Sequence, residues 1–176
     1  MKNNYWTRQS IEFAQQKNYL DELFKVYPLN PNLRRELSKS QGVPILKDSN
    51  KFLNADENCI LNSSDNSMQI FAKDFLGFTR YKGVDFLAKF NNKYIVGEAK
   101  FLTDFGGHQN AQFNDALSSI HSFKGKKQVN NEVIPVAILD GVLYIKGKNK
   151  MHEYIINHHK DNIFSALVLR EFLYSL

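Results

Sequence analysis

The sequence predicts an α/β domain with a mixed central β-sheet flanked by helices. Three observations lead there. After an N-terminal helical stretch, the periodic segments run strand, strand, helix, strand, strand, helix, and such alternation of period 2 with period 3.6 belongs to sheets covered by helices. Both strand pairs surround turn-forming dipeptides, Asn91-Asn92 and Asp140-Gly141, which accept the positive φ of tight hairpins. The length of 176 residues supports one hydrophobic core rather than two, so residues 1–176 are expected to form a single domain.

Taken in order, Trp6 to Val26 reads as one helix. Thr7 is placed to cap it, and Phe13, Leu20, Leu23, Phe24 and Tyr27 recur at helical spacing. Tyr27-Pro28-Leu29-Asn30-Pro31 ends it, because a proline supplies no amide donor, and a short helical turn is expected at Leu33 to Leu37. Residues 38–65 are polar and aperiodic and read as surface loop, with one short strand at Cys59-Ile60-Leu61. Val84 to Phe90 and Lys93 to Phe101 alternate around Asn91-Asn92 as a hairpin, and Asp104 to Gly107 is a turn. Gln109 to Phe123 is helical, with Phe113, Ala116, Leu117 and Ile120 on one face. Val133 to Leu139 and Val142 to Lys146 are expected to pair around Asp140-Gly141. Helices then follow at Met151 to His158 and at Asn162 to Tyr174, the last capped by Asp161.

Composition narrows the function classes. With 43% hydrophobic and 23% charged residues, the chain is neither disordered nor collagen-like. It has no apolar run near the roughly 20 residues that span a bilayer, and no apolar stretch follows Lys2 as in a secretory signal. The single cysteine, Cys59, excludes an internal disulfide framework and a cysteine-based zinc site. A cytoplasmic protein without a membrane partner is the expectation. The net charge of +5 biases the chain mildly toward polyanions, whose counterions clustered lysines displace.

The chemistry concentrates in Gly83-Val84-Asp85-Phe86-Leu87 and Ile95-Val96-Gly97-Glu98-Ala99-Lys100. Residues two apart on a strand share a face, so Glu98 and Lys100 project together. Counting back around the Asn91-Asn92 turn sets Asp85 close to Glu98. Two carboxylates this close repel unless a cation lies between them. Mg²⁺ suits such a site, since it takes oxygen ligands and needs only one or two carboxylates, with Mn²⁺ as its substitute. Lys100 beside it is placed to orient water and to offset charge developing on a phosphate.

Asp85 followed by Glu98-Ala99-Lys100 on successive strands resembles the PD-(D/E)XK nuclease superfamily. The run from Gly97 through Asp104-Phe105-Gly106-Gly107-His108-Gln109-Asn110 is most similar to type II restriction endonucleases. Val84 stands where members commonly carry a proline. The resemblance implies a restriction-endonuclease-like fold and a site-specific, Mg²⁺-dependent endonuclease acting on double-stranded DNA. It makes Asp85 and Glu98 metal ligands and Lys100 the catalytic lysine, and cutting both strands of a symmetric site implies a homodimer. Two alternatives stay open: a structure-selective nuclease acting on junctions, nicks or mismatches, and a DNA-binding module without activity.

Further residues are candidates. Gln109, Asn110 and Gln112 open a helix after the catalytic strand, where amides can reach phosphates or adenine edges, and His108 adjoins them. Glu12 is the expected additional acid from the first helix, with Glu22 behind it. Lys124, Lys126 and Lys127, and Lys146, Lys148 and Lys150, form two basic loops. His152, His158 and His159 read as surface histidines. Residues 38–80 are the interval with room for a recognition insertion.

Overall fold

The computed structural model describes residues 5–26, 39, 41–147, 149–158 and 160–176. Helices α1 (Tyr5–Ala14) and α2 (Tyr19–Val26) precede β1 (Ile45–Leu46), α3 (Ser49–Leu53), β2 (Cys59–Leu61) and α4 (Asp65–Leu76). Then come β3 (Phe86–Phe90), β4 (Lys93–Leu102), α5 (Gly107–Ile120), β5 (Val133–Gly141), α6 (Lys150–Asn157), β6 (Ile163–Phe164) and α7 (Leu169–Tyr174). Short 3₁₀ turns occupy Val142–Tyr144 and Ala166–Val168. The expected turn at Tyr27–Pro31, the helical turn at Leu33–Leu37, Lys148 and His159 lie outside the described residues.

The six strands lie side by side in chain order, β1 to β6. Antiparallel pairing joins β2 to β3 and β3 to β4, while β1–β2, β4–β5 and β5–β6 are parallel. This is the mixed α/β architecture the sequence predicts. The β3–β4 hairpin turns through Asn91 and Asn92 with φ of 47° and 61°, the paired positive angles of a type I′ turn. Asparagine tolerates them because its short amide bonds locally. The turn sets the register, with Phe90 opposite Lys93 and Phe86 opposite Gly97.

Two apolar clusters sandwich this hairpin. Phe86, Ala88, Phe90, Ile95 and Ala99 join one, shared with Phe113, Ala116 and Leu117 of α5 and with much of the C-terminal half. Leu87, Tyr94 and Val96 join the other, with Phe52 of α3 and Met68, Phe71, Ala72 and Leu76 of α4. Strand alternation is thus read directly in which cluster each residue enters.

Four elements differ from the sequence reading. The first helix is interrupted at 15–18, where Gln15, Gln16, Lys17 and Asn18 offer no apolar face. Thr7 does not cap it but lies buried within α1, its hydroxyl donating to the Ile163 carbonyl at 2.6 Å. The segment read as polar loop carries β1 and α3 besides the expected strand at Cys59–Leu61, β2, with Asp48 capping α3 through the Lys51 amide at 2.8 Å. Apolar positions here are few, but Phe52, Cys59, Ile60 and Leu61 turn inward and are buried.

The third difference is the Asp140-Gly141 turn, which forms no hairpin. β5 continues parallel between β4 and β6, and Val142–Tyr144 coils as a 3₁₀ turn. Asp140 is fully buried and accepts from the Tyr19 hydroxyl at 3.0 Å, the Ala166 amide at 3.0 Å and the Ser165 hydroxyl. A turn residue would face water; this one fastens two distant segments to the end of β5. Gly141 has φ of 100°, and a side chain there would meet the Leu102 carbonyl. Finally, 162–174 is not one helix. Asp161 accepts from the His121 ring at 2.8 Å and from Tyr154 at 2.8 Å instead of capping. The chain then forms β6, the second 3₁₀ turn and α7.

His152 is also not a surface residue. It is buried, with Nδ1 on the Leu143 carbonyl at 3.2 Å; His158 is exposed as expected. No helix among the described residues is long and apolar enough to cross a membrane.

Asp140→Ala strands a buried phenol, a hydroxyl and an amide at once. Each orphaned buried group costs ~1–3 kcal/mol, so urea unfolding is expected to show a loss of at least ~3 kcal/mol. A loss under ~1 kcal/mol would mean the fastener carries little of the fold.

Candidate active site

The hairpin register delivers Asp85 to its place. The Asp85 amide donates to the Gly97 carbonyl at 2.9 Å, setting residue 85 directly across from residue 98. Its carboxylate then accepts from the Ala99 amide at 3.0 Å and from Lys100 Nζ at 3.1 Å. Lys100 Nζ also lies 2.6 Å from Glu98 Oε1 and donates to the Ala99 carbonyl at 3.2 Å. Asp85, Glu98 and Lys100 therefore converge, as the spacing of the motif requires.

Their exposures differ. Glu98 is 1% exposed, while the Asp85 and Lys100 side chains keep 30% and 24% of their surface. The cluster is a half-open site with a buried floor. Glu98 Oε2 is fully enclosed and has no hydrogen-bond partner among the described residues. A buried carboxylate oxygen without a donor is costly, and such an oxygen is a fitting ligand for a hard cation.

A second set of charges, not foreseen from the motif, completes the site. Lys82 contacts both Glu98 and Asp115 of α5. Arg80 donates to the Asp115 carboxylate at 2.7 Å and to its backbone carbonyl at 3.1 Å. Lys82 and Arg80 stand in the irregular segment between α4 and β3, which is tied to the end of α5 through the Thr79 amide on the Ser122 carbonyl at 3.0 Å. Three cations (Arg80, Lys82, Lys100) thus face three carboxylates (Asp85, Glu98, Asp115). The sequence signal for them was the cluster Arg80-Tyr81-Lys82 just before the first acid, but nothing local links it to a helix 33 residues later.

A family model described as Tsp45I type II restriction enzyme matches residues 4–50 and 45–176. The chain belongs to this family. It is a type II restriction endonuclease of the PD-(D/E)XK type, a site-specific deoxyribonuclease, and the six-stranded mixed sheet is consistent with the restriction-endonuclease-like fold. Comparison with curated proteins and with solved structures gives no significant match.

Within this restriction endonuclease the remaining candidates are spread around the site. Gln109 fastens the turn after β4, bonding Thr103 Oγ1 at 3.2 Å and accepting from the Thr103 amide at 3.3 Å. Asn110 holds the Phe105 and Gly106 carbonyls at 3.0 and 3.1 Å. Gln112 pairs with His108 at 2.9 Å on the solvent side. Glu12 is exposed on α1 and accepts from Gln9 at 3.1 Å; no hydrogen bond or ion pair joins it to the central cluster. Glu22 pairs with Lys25 at 2.7 Å on α2. Gly125, between Lys124 and Lys126, donates its amide to the Gly77 carbonyl at 2.8 Å, bringing that basic loop alongside the segment that carries Arg80 and Lys82.

Electrostatics follow from the packing. Burial pulls the Lys100 ammonium toward neutrality, yet Asp85 and Glu98 more than offset it and hold its pKa above the ordinary lysine value. For Asp115, partial burial works against ionisation, but Lys82 and Arg80 prevail and lower its pKa.

Gly97 sets how near β4 and β5 approach beside Glu98. A methyl there would sit 2.7 Å from Val136 Cγ2 and 3.0 Å from its carbonyl. Gly97→Ala is therefore expected to cost ~1–3 kcal/mol in urea unfolding and to depress cleavage by shifting Glu98. A wild-type urea midpoint would show slack between the strands that the packing excludes.

Proposed function

We propose that this enzyme hydrolyses phosphodiesters of double-stranded DNA at specific sites with Mg²⁺, held by Asp85 and Glu98, and with Lys100 as the catalytic lysine. The observation that carries the reading is the convergence of these three side chains around the buried, unpartnered Glu98 Oε2. Residues of this kind fit the ion. Among the described residues no three His, Cys, Asp or Glu side chains gather as a metal set, which disfavours zinc. Mg²⁺ needs only one or two carboxylates and leaves its other positions to water and phosphate.

When bound, such an ion supplies Lewis acidity at the scissile phosphate and makes a coordinated water a better nucleophile. The chain's own groups do the rest. Asp85, locked by the Ala99 amide, and Glu98, locked by burial, keep the carboxylates in place without reorganisation at the moment of reaction. Lys100, charged and held by two anions, donates to the attacking water or to a non-bridging phosphate oxygen. The metal-free cluster is balanced at three charges of each sign, so a divalent ion leaves it net positive and attractive to the DNA backbone. Lys124, Lys126 and Lys127 extend that positive field along the neighbouring loop.

The proposal includes a single nuclease domain, with base readout by exposed parts of 38–80 and by Gln109, Asn110 and Gln112 exchanging their present bonds for DNA. A homodimer brings two sites to a symmetric target, and the enzyme acts in the cytoplasm. Incubation with a long mixed-sequence duplex and Mg²⁺ tests the activity. Discrete fragments support it, whereas a smear, or cleavage of branched and nicked substrates alone, refutes site-specific duplex cutting.

Asp85→Ala and Glu98→Ala are expected to abolish cleavage while leaving duplex binding within about tenfold, roughly 1.4 kcal/mol. Retained cutting by either variant would remove it from the catalytic set. Lys100→Arg is expected to be inactive as well, because a planar guanidinium does not replace a compact ammonium; full activity would reduce Lys100 to a general source of charge. Metal choice gives an independent check. Mg²⁺ and Mn²⁺ are expected to support cleavage, and Ca²⁺ to tighten duplex binding in a gel shift without turnover. Equal cleavage in chelator would exclude the metal mechanism.

A further inference from the structure

Lys82 lies outside the Asp85, Glu98 and Lys100 set, yet its ammonium touches two carboxylates on different elements. The two anions are unequal. Glu98 is almost fully enclosed and already served by Lys100, whereas Asp115 is about a third exposed and also holds Arg80. Lys82 belongs to an irregular segment and its side chain is 35% exposed, so a small swing separates it from one anion while keeping the other. Lys100 has no such freedom, because both of its carboxylate partners are the proposed metal ligands.

We infer that Lys82 is a positioning residue that stands in for the metal: it neutralises Glu98 while the ion is absent and withdraws to Asp115 when the ion arrives. Lys82 and Lys100 both bear on Glu98 Oε1, so without Lys82 the enclosed carboxylate would keep a single counter-cation against a large desolvation penalty. A divalent ion arriving at the same carboxylate repels the Lys82 ammonium, and Asp115 gives that ammonium an anion to retreat to. Metal affinity is then set by a contest: Lys82 opposes binding, and Asp115 weakens the opposition. Arg80, anchored on the Asp115 carbonyl as well as its carboxylate, keeps the receiving carboxylate in place. This rests on the assignment of Glu98 as a metal ligand.

The test is Mn²⁺ binding to the full chain without DNA, read from the electron paramagnetic resonance of free Mn²⁺ at neutral pH. Lys82→Met is expected to bind Mn²⁺ about three- to tenfold more tightly than wild type, the scale of a partly exposed ion pair on a buried carboxylate. Asp115→Asn is expected to bind severalfold more weakly, because Lys82 then has only Glu98. The double variant is expected to match Lys82→Met, since no ammonium remains to contest the site. This non-additivity is what a merely structural role would not produce. Lys82→Gln repeats the charge removal should the methionine variant unfold, with circular dichroism as the control. Unchanged or weaker binding in the Lys82 variants, or wild-type affinity in Asp115→Asn, overturns the inference. Glu98→Gln separates the two levels. If it binds Mn²⁺ like wild type, the metal assignment itself falls. If it loses binding while Lys82→Met equals wild type, the exchange alone is refuted.

Discussion

Burying one carboxylate governs much of this structure. Glu98, at 1% exposure, sits on a strand paired on both sides, where its second oxygen is enclosed without a hydrogen-bond partner among the described residues. A charge so placed persists only beside cations. Lys100 and Lys82 supply them from two directions, one by strand periodicity and the other by the segment preceding β3. Asp85 and Asp115 then answer those lysines in turn. The charged network is a chain of compensations that begins at one side chain, and its first member is the residue that the proposed chemistry requires.

The scaffold holds that network by two separate devices. The Asn91-Asn92 turn sets the β3–β4 register, which decides that Asp85 and Glu98 meet rather than miss by a residue. A slip of one would turn every side chain of the hairpin to the opposite face. The buried Asp140 is the second device. It binds Tyr19 of α2 and the chain just after β6 to the end of β5, so the N- and C-terminal segments close over the same strand. That closure backs β5, against which β4, with Glu98 and Lys100, is registered from Tyr94 to Leu102.

Membership of the restriction enzyme family gives the charge geometry its proposed meaning. A neutral cluster of three cations and three anions has little field of its own, and the proposed divalent ion would make it net positive. The Lys124–Lys127 loop is drawn in by the Gly77–Gly125 backbone contact, alongside the segment that carries Arg80 and Lys82. The chain is basic overall, but the proposed reading rests on this local arrangement rather than on the net charge of +5.

The sequence by itself determined the α/β class, the first hairpin and the convergence of Asp85, Glu98 and Lys100, because each depends on short-range rules. Alternation assigns faces, a turn dipeptide counts register, and residues two apart share a side. Long-range partners followed no such rule. Asp140-Gly141 satisfies the local signature of a hairpin, yet Tyr19 and Ser165, 121 and 25 residues away, draw the aspartate inward and keep β5 parallel. Lys82 and Asp115 are likewise 33 residues apart, and no periodicity connects them. The strand β1 lies in a polar stretch because its stability comes from the sheet it joins, not from its own pattern. Tertiary structure decided these elements because a buried polar group takes its partner from whatever segment folding brings beside it, at any distance along the chain.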